Sequence, residues 1–153
     1  MRVEGKSIIV TGGASGLGAA TVRRLSSLEA QILIADLDSK GASVLKHDLE
    51  GQVSFAHTDV TDAQSMERAI NKGIEHGGGL DVLVNCAGFG AVGHHVRHTP
   101  GSLAEMCRLN VNTPSELCSL FGKDMRERRR GFILNVSSVA GFMPIPYFAN
   151  YSA

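Results

Sequence analysis

No charge of one sign dominates this sequence, and no apolar run in it approaches the length of a membrane span. Basic residues number 15 against 15 acidic ones in 153 residues, so nothing favours nucleic acid or an anionic membrane as a partner. A spanning helix needs roughly 20 consecutive apolar residues, and strand-like sequence already begins by Ser7, which leaves no room for a signal peptide. Cysteine is scarce. Cys86, Cys107 and Cys118 are odd in number and lack metal-ligand spacing, which reads as free thiols in a reducing compartment. Histidine clusters once, at His94, His95 and His98, without an accompanying cysteine or carboxylate pattern, so no metal is expected. Internal repeats and low-complexity tracts are also missing. With 43% apolar residues the chain has material for one domain with a real core and is short for two. The expectation is a soluble cytoplasmic protein, 1–153 forming one domain.

What the sequence does contain is an alternation. Strand-like runs at Ser7–Thr11, Gln31–Ala35, Val53–His57, Val82–Asn85 and Phe132–Val136 are separated by helical stretches near 16–28, 39–49, 62–76 and 100–128. Four of the five strands are nearly all apolar, as strands buried on both faces should be. Strand alternating with helix predicts an α/β fold of right-handed parallel β-α-β units, with helices on both sides of the sheet. Ligands then bind beyond the carboxyl ends of the strands. Gly77-Gly78-Gly79 reads as a helix stop. The basic run Arg126 to Arg130 reads as cations at a helix C-terminus, closed by Gly131.

The most distinctive stretch is Thr11-Gly12-Gly13-Ala14-Ser15-Gly16-Leu17-Gly18, between the first strand and the first helix. Glycines there let the backbone turn with φ > 0 and let a pyrophosphate approach without an intervening Cβ. The free N–H groups of the helix start then face the anion, with the helix dipole in its favour. Asp36 closes the second strand, 20 residues after Gly16. An acidic residue there can accept both hydrogen bonds of an adenosine ribose and repels a 2′-phosphate. The next residue is Leu37, not a cation, and Ser15 is uncharged; both favour NAD over NADP.

The spacing T-G-x-x-x-G-x-G, in place of the commoner G-x-G-x-x-G, resembles the short-chain dehydrogenase/reductase family. Further motifs follow in the family's order. Asp59-Val60 matches its adenine-contacting pair, although Thr61 or Asp62 can equally cap the next helix. Asn85-Cys86-Ala87-Gly88 resembles its N-N-A-G motif, with Cys in place of the second Asn. Asn110 falls where the family carries a catalytic Asn at a helix break, in a helix capped by Thr99 and Pro100. Pro114 removes the donor for the carbonyl of Asn110 and predicts a kink there. Ser138 is the second residue of the serine pair ending the fifth strand, and Tyr151-Ser152-Ala153 looks like the start of Y-x-x-x-K. The resemblance implies a Rossmann-type doubly wound sheet in three layers, αβα, with strand order 3-2-1-4-5 for the part present. It implies cofactor contacts from Thr11, Gly12, Ser15, Gly16, Leu17, Gly18, Asp36, Leu37, Asp59, Val60, Asn85, Ala87 and Gly88, and catalysis by Asn110, Ser138 and Tyr151. The complete protein is then expected to be a homodimer or homotetramer acting on a small alcohol or carbonyl compound, with NAD as cofactor.

The chemistry needs those residue types. Hydride transfer at a carbinol carbon requires a proton to leave or reach the oxygen. A phenol, with an ordinary pKa of about 10, becomes a usable base when nearby positive charge stabilises the phenolate. The family's lysine would stand at position 155, beyond Ala153, so the chain is expected to be a truncated copy or part of one, with little or no turnover. The alternative is a nucleotide-binding or partner-binding module without catalysis. One substrate wall is expected from Gly141 to Ala149, including Met143, Pro144 and Pro146. The fifth strand is expected as a bare edge, with Leu103, Met106, Leu109, Leu117 and Leu120 of the fourth helix stripped of partners.

Overall fold

Apolar strand sequence is explained by burial from two sides. In the computed structural model, residues 2–49, 51–77, 79–143 and 145–153 are described. Five parallel strands, β1 (Ser7–Thr11), β2 (Gln31–Asp36), β3 (Val53–His57), β4 (Val82–Asn85) and β5 (Phe132–Asn135), form one sheet in the order β3-β2-β1-β4-β5. Successive residues of β1 serve opposite faces. Ile8 and Val10 meet Val22 of α1 (Gly16–Ser26) and Ala42 and Leu45 of α2 (Ser39–Asp48). Ile9 meets Met66 and Ala69 of α3 (Ala63–Gly77) and Leu117 and Phe121 of α5 (Thr113–Glu127). Ile8, Ile9, Ile32 and Ile34 are wholly buried, each worth about 1.5–3 kcal/mol of transfer before chain entropy is deducted. The result is the expected Rossmann-type layering.

Register aligns the carboxyl ends of the strands. Thr11 stands opposite Ala35 and Asn85, and Asn85 opposite Asn135. The opposite end is closed by charge. Buried Asp81 accepts from Arg130 Nε at 2.6 Å and lies 3.8 Å from Lys6 Nζ. Arg128 donates to the carbonyl of Leu80 at 2.6 Å and pairs with Asp124. Two members of the basic run therefore lock the end of α5 to the start of β4, beyond the helix-dipole role their position alone implied. No helix among the described residues is long and apolar enough to cross a membrane.

The helix expected over 100–128 is three pieces: α4 (Pro100–Cys107), a wide turn of π type at Arg108–Asn112, and α5. The N–H of Thr113 donates to the carbonyl of Arg108, five residues back, and its hydroxyl donates to the same oxygen at 2.9 Å. Pro114 offers no N–H to Asn110, so the ladder shifts by one residue instead of simply kinking. Thr99 accepts from Ser102 N–H as the predicted cap. Met106 and Leu117, expected bare, are buried, whereas Leu120 is 56% exposed. Gly78, the centre of the expected helix stop, lies outside the described residues. A short helix, α6 (Ala149–Ser152), ends the fold.

Candidate active site

The glycine loop is built by close contact. A Cβ on Gly12 would lie 2.7 Å from the Cα of Ala87, and one on Gly18 would run into the carbonyl oxygen of Gly12. Glycine is therefore required where β1, the start of α1 and the end of β4 converge. Thr11 staples the same junction from behind. Its hydroxyl donates to the carbonyl of Val84 and accepts from the N–H groups of Cys86 and Ala87, at 3.1 and 3.2 Å. Gly16 has φ +50 with open space where a side chain would be, and Ser15 precedes α1 with no capping bond from its side chain. The helix start thus presents unencumbered N–H donors, a cradle suited to an anionic group.

Asp36 is oriented by the loop it faces. Its Oδ2 accepts from Ala14 N–H and its Oδ1 from Asp38 N–H, both at 2.9 Å. Asp59 turns on itself, accepting from the Thr61 hydroxyl at 2.7 Å and the Thr61 N–H at 2.9 Å. The hydroxyl chiefly, and then the N–H, hold its carboxyl below the usual carboxylate range. Asp62 accepts from Gln64 N–H at the start of α3, so the rim residue and the helix cap are neighbours and not alternatives.

At the other end, Asn85 Nδ2 donates to Asn135 Oδ1 at 2.8 Å, tying β4 to β5 across the sheet. Asn110, on the wide turn, clasps the backbone of a single residue, Phe89: its Nδ2 donates to the carbonyl of Phe89 at 2.8 Å and its Oδ1 accepts from Phe89 N–H at 3.1 Å. The side-chain amide expected to take part in catalysis is thus engaged with the backbone just after Ala87-Gly88. Ser138 accepts from Ala140 N–H at 3.2 Å. Tyr151, on α6, packs edge-on against Phe148 with ring centroids 5.6 Å apart. Gly90 makes room for both rings, since a Cβ there would sit 3.2 Å from each.

These parts meet in one cleft of about 920 Å³ at the carboxyl ends of the strands. Every predicted site residue except Thr11 lines it; Thr11 is 1% exposed and braces the floor. Among the described residues, the charged side chains lining it are Asp36 and Asp59. Sequence reading missed Asn135, whose signal was a polar residue closing an apolar strand in register with Asn85. It also missed Phe89 and Gly90, which nothing in their local sequence marks, and Arg108. That guanidinium reaches the carbonyl of Thr61 at 3.0 Å and pairs with Glu116 at 2.6 Å, linking the loop after β3 to the turn that carries Asn110. Of the wall expected at 141–149, Gly141 lines the cleft and Met143 is largely exposed; Pro144 lies outside the described residues. The size, the two-ended shape, the open cradle at Gly16 and the oriented carboxylate of Asp36 fit a dinucleotide.

Comparison with known proteins agrees with this geometry. The short chain dehydrogenase family model matches residues 6–153. The 2,3-dihydroxy-2,3-dihydro-p-cumate dehydrogenase of Pseudomonas putida is 31% identical over 99% of this chain and 60% of its own length. The L-fucose dehydrogenase of Oryctolagus cuniculus is 32% identical over 99% of this chain and 55% of its own. A short chain dehydrogenase/reductase from Burkholderia phymatum, solved in complex with NAD, superposes with a TM-score of 0.93 at 26% identity, covering 99% of this chain and 56% of that one. The chain therefore spans a little over half the length of these relatives.

Proposed function

This chain belongs to the short-chain dehydrogenase family, and we propose that it forms the cofactor-binding part and half of the reacting end of an oxidoreductase moving a hydride between NAD(H) and a small alcohol or carbonyl compound. The observation carrying this reading is that Asn110, Ser138 and Tyr151 line the same cleft as the glycine loop and Asp36. Two relatives are named for oxidising hydroxyl-bearing substrates, a cyclic diol and a sugar, which supports the same reaction class.

Nicotinamide, when bound, supplies or accepts the hydride. This chain supplies position and proton handling. The N-terminus of α1 and the glycine loop receive the pyrophosphate; Asp36 accepts from the adenosine ribose hydroxyls. Ser138 donates its hydroxyl proton to the substrate oxygen and fixes its direction. The phenol of Tyr151 takes the proton from an alcohol, or gives it to a carbonyl, as the C–H bond breaks or forms. Asn110 keeps the Phe89 peptide, and with it the Ala87-Gly88 floor, in place.

The test is isotope transfer from propan-2-ol deuterated at C2 to NAD⁺. Slow appearance of deuterated NADH is expected, falling at least about 100-fold in Tyr151→Phe while NADH affinity stays within about twofold. Transfer unaffected by that substitution would refute the role of Tyr151. A second reading, nucleotide binding without chemistry, is favoured by one observation: no lysine or arginine lines the cleft among the described residues, so the phenolate has no cation beside it. Tight NADH binding with no deuterium transfer would establish that reading instead.

A further inference from the structure

Two stretches far apart in sequence line the cleft: Asp59, Val60 and Thr61 of the loop after β3, and Leu109, Asn110 and Val111 of the wide turn. Each is anchored on its own helix. The N–H of Asp59 donates to the hydroxyl of Ser65 at 3.1 Å, which fastens the loop to α3. The turn is fastened to α5 by buried Thr113, whose N–H and hydroxyl both donate to the carbonyl of Arg108. The guanidinium of Arg108 bridges the two. One terminal nitrogen donates to the carbonyl of Thr61 at 3.0 Å and the other to Glu116 Oε1 at 2.6 Å. A single residue thus closes the turn with its carbonyl and grips the loop with its side chain.

This contact has the character of a strut. A guanidinium is a planar fork that serves two acceptors in fixed geometry. Glu116 lies in the first turn of α5, where the helix dipole favours a carboxylate, so the fork has a firm seat. The side chains of Arg108 and Glu116 are 43% and 58% exposed, and an ion pair that open to water adds little to folding. What it does supply is a fixed placement of the loop against the turn. Two residues beyond Arg108, Asn110 clasps the N–H and carbonyl of Phe89. Its Oδ1 also lies close over Gly88, where a Cβ would come within 3.1 Å of it. A continuous path of covalent and hydrogen-bonded links therefore runs from Thr61 through Arg108 and Asn110 to Phe89, and both of its ends line the cleft.

We propose that Arg108 is a positioning residue for the nucleotide: it holds the loop after β3 against the Asn110 turn, so that a ligand seated on Asp59-Val60 tightens the Asn110–Phe89 clasp. The inference rests on the dinucleotide reading of the cleft, with adenine at the loop after β3. Ordering the loop on binding then removes freedom from the turn as well, and the effect is reciprocal: whatever firms the clasp strengthens binding at the loop.

Amide hydrogen exchange on the 153-residue chain, read by NMR with 5′-AMP as the probe, tests it. AMP carries only the adenine half of the dinucleotide, and its shift of the Val60 amide signal reports occupancy of the loop. Saturating AMP should slow exchange of the Phe89 N–H at least about fivefold, the low end of ordinary coupling between sites. Arg108→Met keeps the stem and removes the fork's donors. AMP should then bind at least about fivefold more weakly and, at saturation, leave Phe89 exchange within about twofold of the AMP-free variant. Arg108→Gln, too short to bridge both acceptors, should lose the effect likewise and serves if the first variant does not fold. A folded variant that retains the AMP-induced protection of Phe89 would overturn the role of Arg108. Protection absent from the unaltered chain, or AMP binding absent where NADH binds, would overturn the coupling while leaving the nucleotide site standing. Failure of both AMP and NADH to bind would overturn the dinucleotide reading and this inference with it.

Discussion

Burial pushes the Cys86 thiol up from its ordinary range, which gives the glycine loop's neighbour a measurable signature. The folded value lies above the unfolded one. Its contribution to stability is therefore complete below the unfolded pKa and is lost as pH rises through the folded pKa. Alkylation at pH 8 should accordingly modify exposed Cys107 well before Cys86, and saturating NADH should slow Cys86 further, because its residue lines the cleft. Mass-spectrometric mapping of a time course checks both. Modification of Cys86 first, or at a rate indifferent to NADH, would be the contrary result. Residues such as Asp36 and Gly12 were legible in the sequence because each does its work through type and spacing. Thr11 was only half legible: the motif marks it, but only the packing shows a hydroxyl bridging β1 to β4 from behind the cleft. The amide pair that holds β4 and β5 together is Asn85 with Asn135, fifty residues apart, and no local pattern announces such a partnership.

Elements were readable wherever one periodicity ruled them. All five strands and their order follow from apolar runs and the family resemblance, with boundaries shifting by a residue, as at Asp36 and Asn135. The exception is the long helix, where a rule was applied correctly but its outcome was underdetermined. Proline at 114 demands that the carbonyl of Asn110 lose its usual donor, and the chain answers with a π-type turn, an alternative that helix rules permit but do not select. That turn has a consequence, since it aims Asn110 at the peptide of Phe89. Asn110→Ala should cost about 1–2 kcal/mol in urea denaturation, from two lost hydrogen bonds and an unpaired peptide group, and should weaken NADH binding through the loosened Ala87-Gly88 floor. Unchanged stability, within about 0.3 kcal/mol, would show that the clasp contributes nothing.

On the scale of the whole molecule, the α1/α2 face of the sheet is covered over β1 to β3 but thin over β5. Phe132, Leu134 and Val136 are 47%, 45% and 39% exposed, and β5 pairs only with β4. An open, apolar edge without a gatekeeping charge promotes self-association. Leu134→Lys should therefore shift the 153-residue chain towards monomer in light scattering across a dilution series, whereas an unaltered chain that is already a monodisperse monomer at micromolar concentration would contradict this. The bare α4–α5 face foreseen from the sequence is smaller than expected, because Met106 and Leu117 turn into the core and Leu120 remains outside; helical periodicity assigns a face but not which neighbour fills it. We propose that the complete protein is a homo-oligomer. What binds these scales together is the cleft proposed to hold a dinucleotide, with Asp36 proposed as its discriminating charge. The most direct test is a paired titration of this chain with NADH and NADPH by cofactor fluorescence. NADH should bind at least about tenfold tighter, a difference of about 1.4 kcal/mol, and Asp36→Ala with Leu37→Arg should reverse the order; NADPH binding as tightly as NADH to the unaltered chain would contradict the assignment.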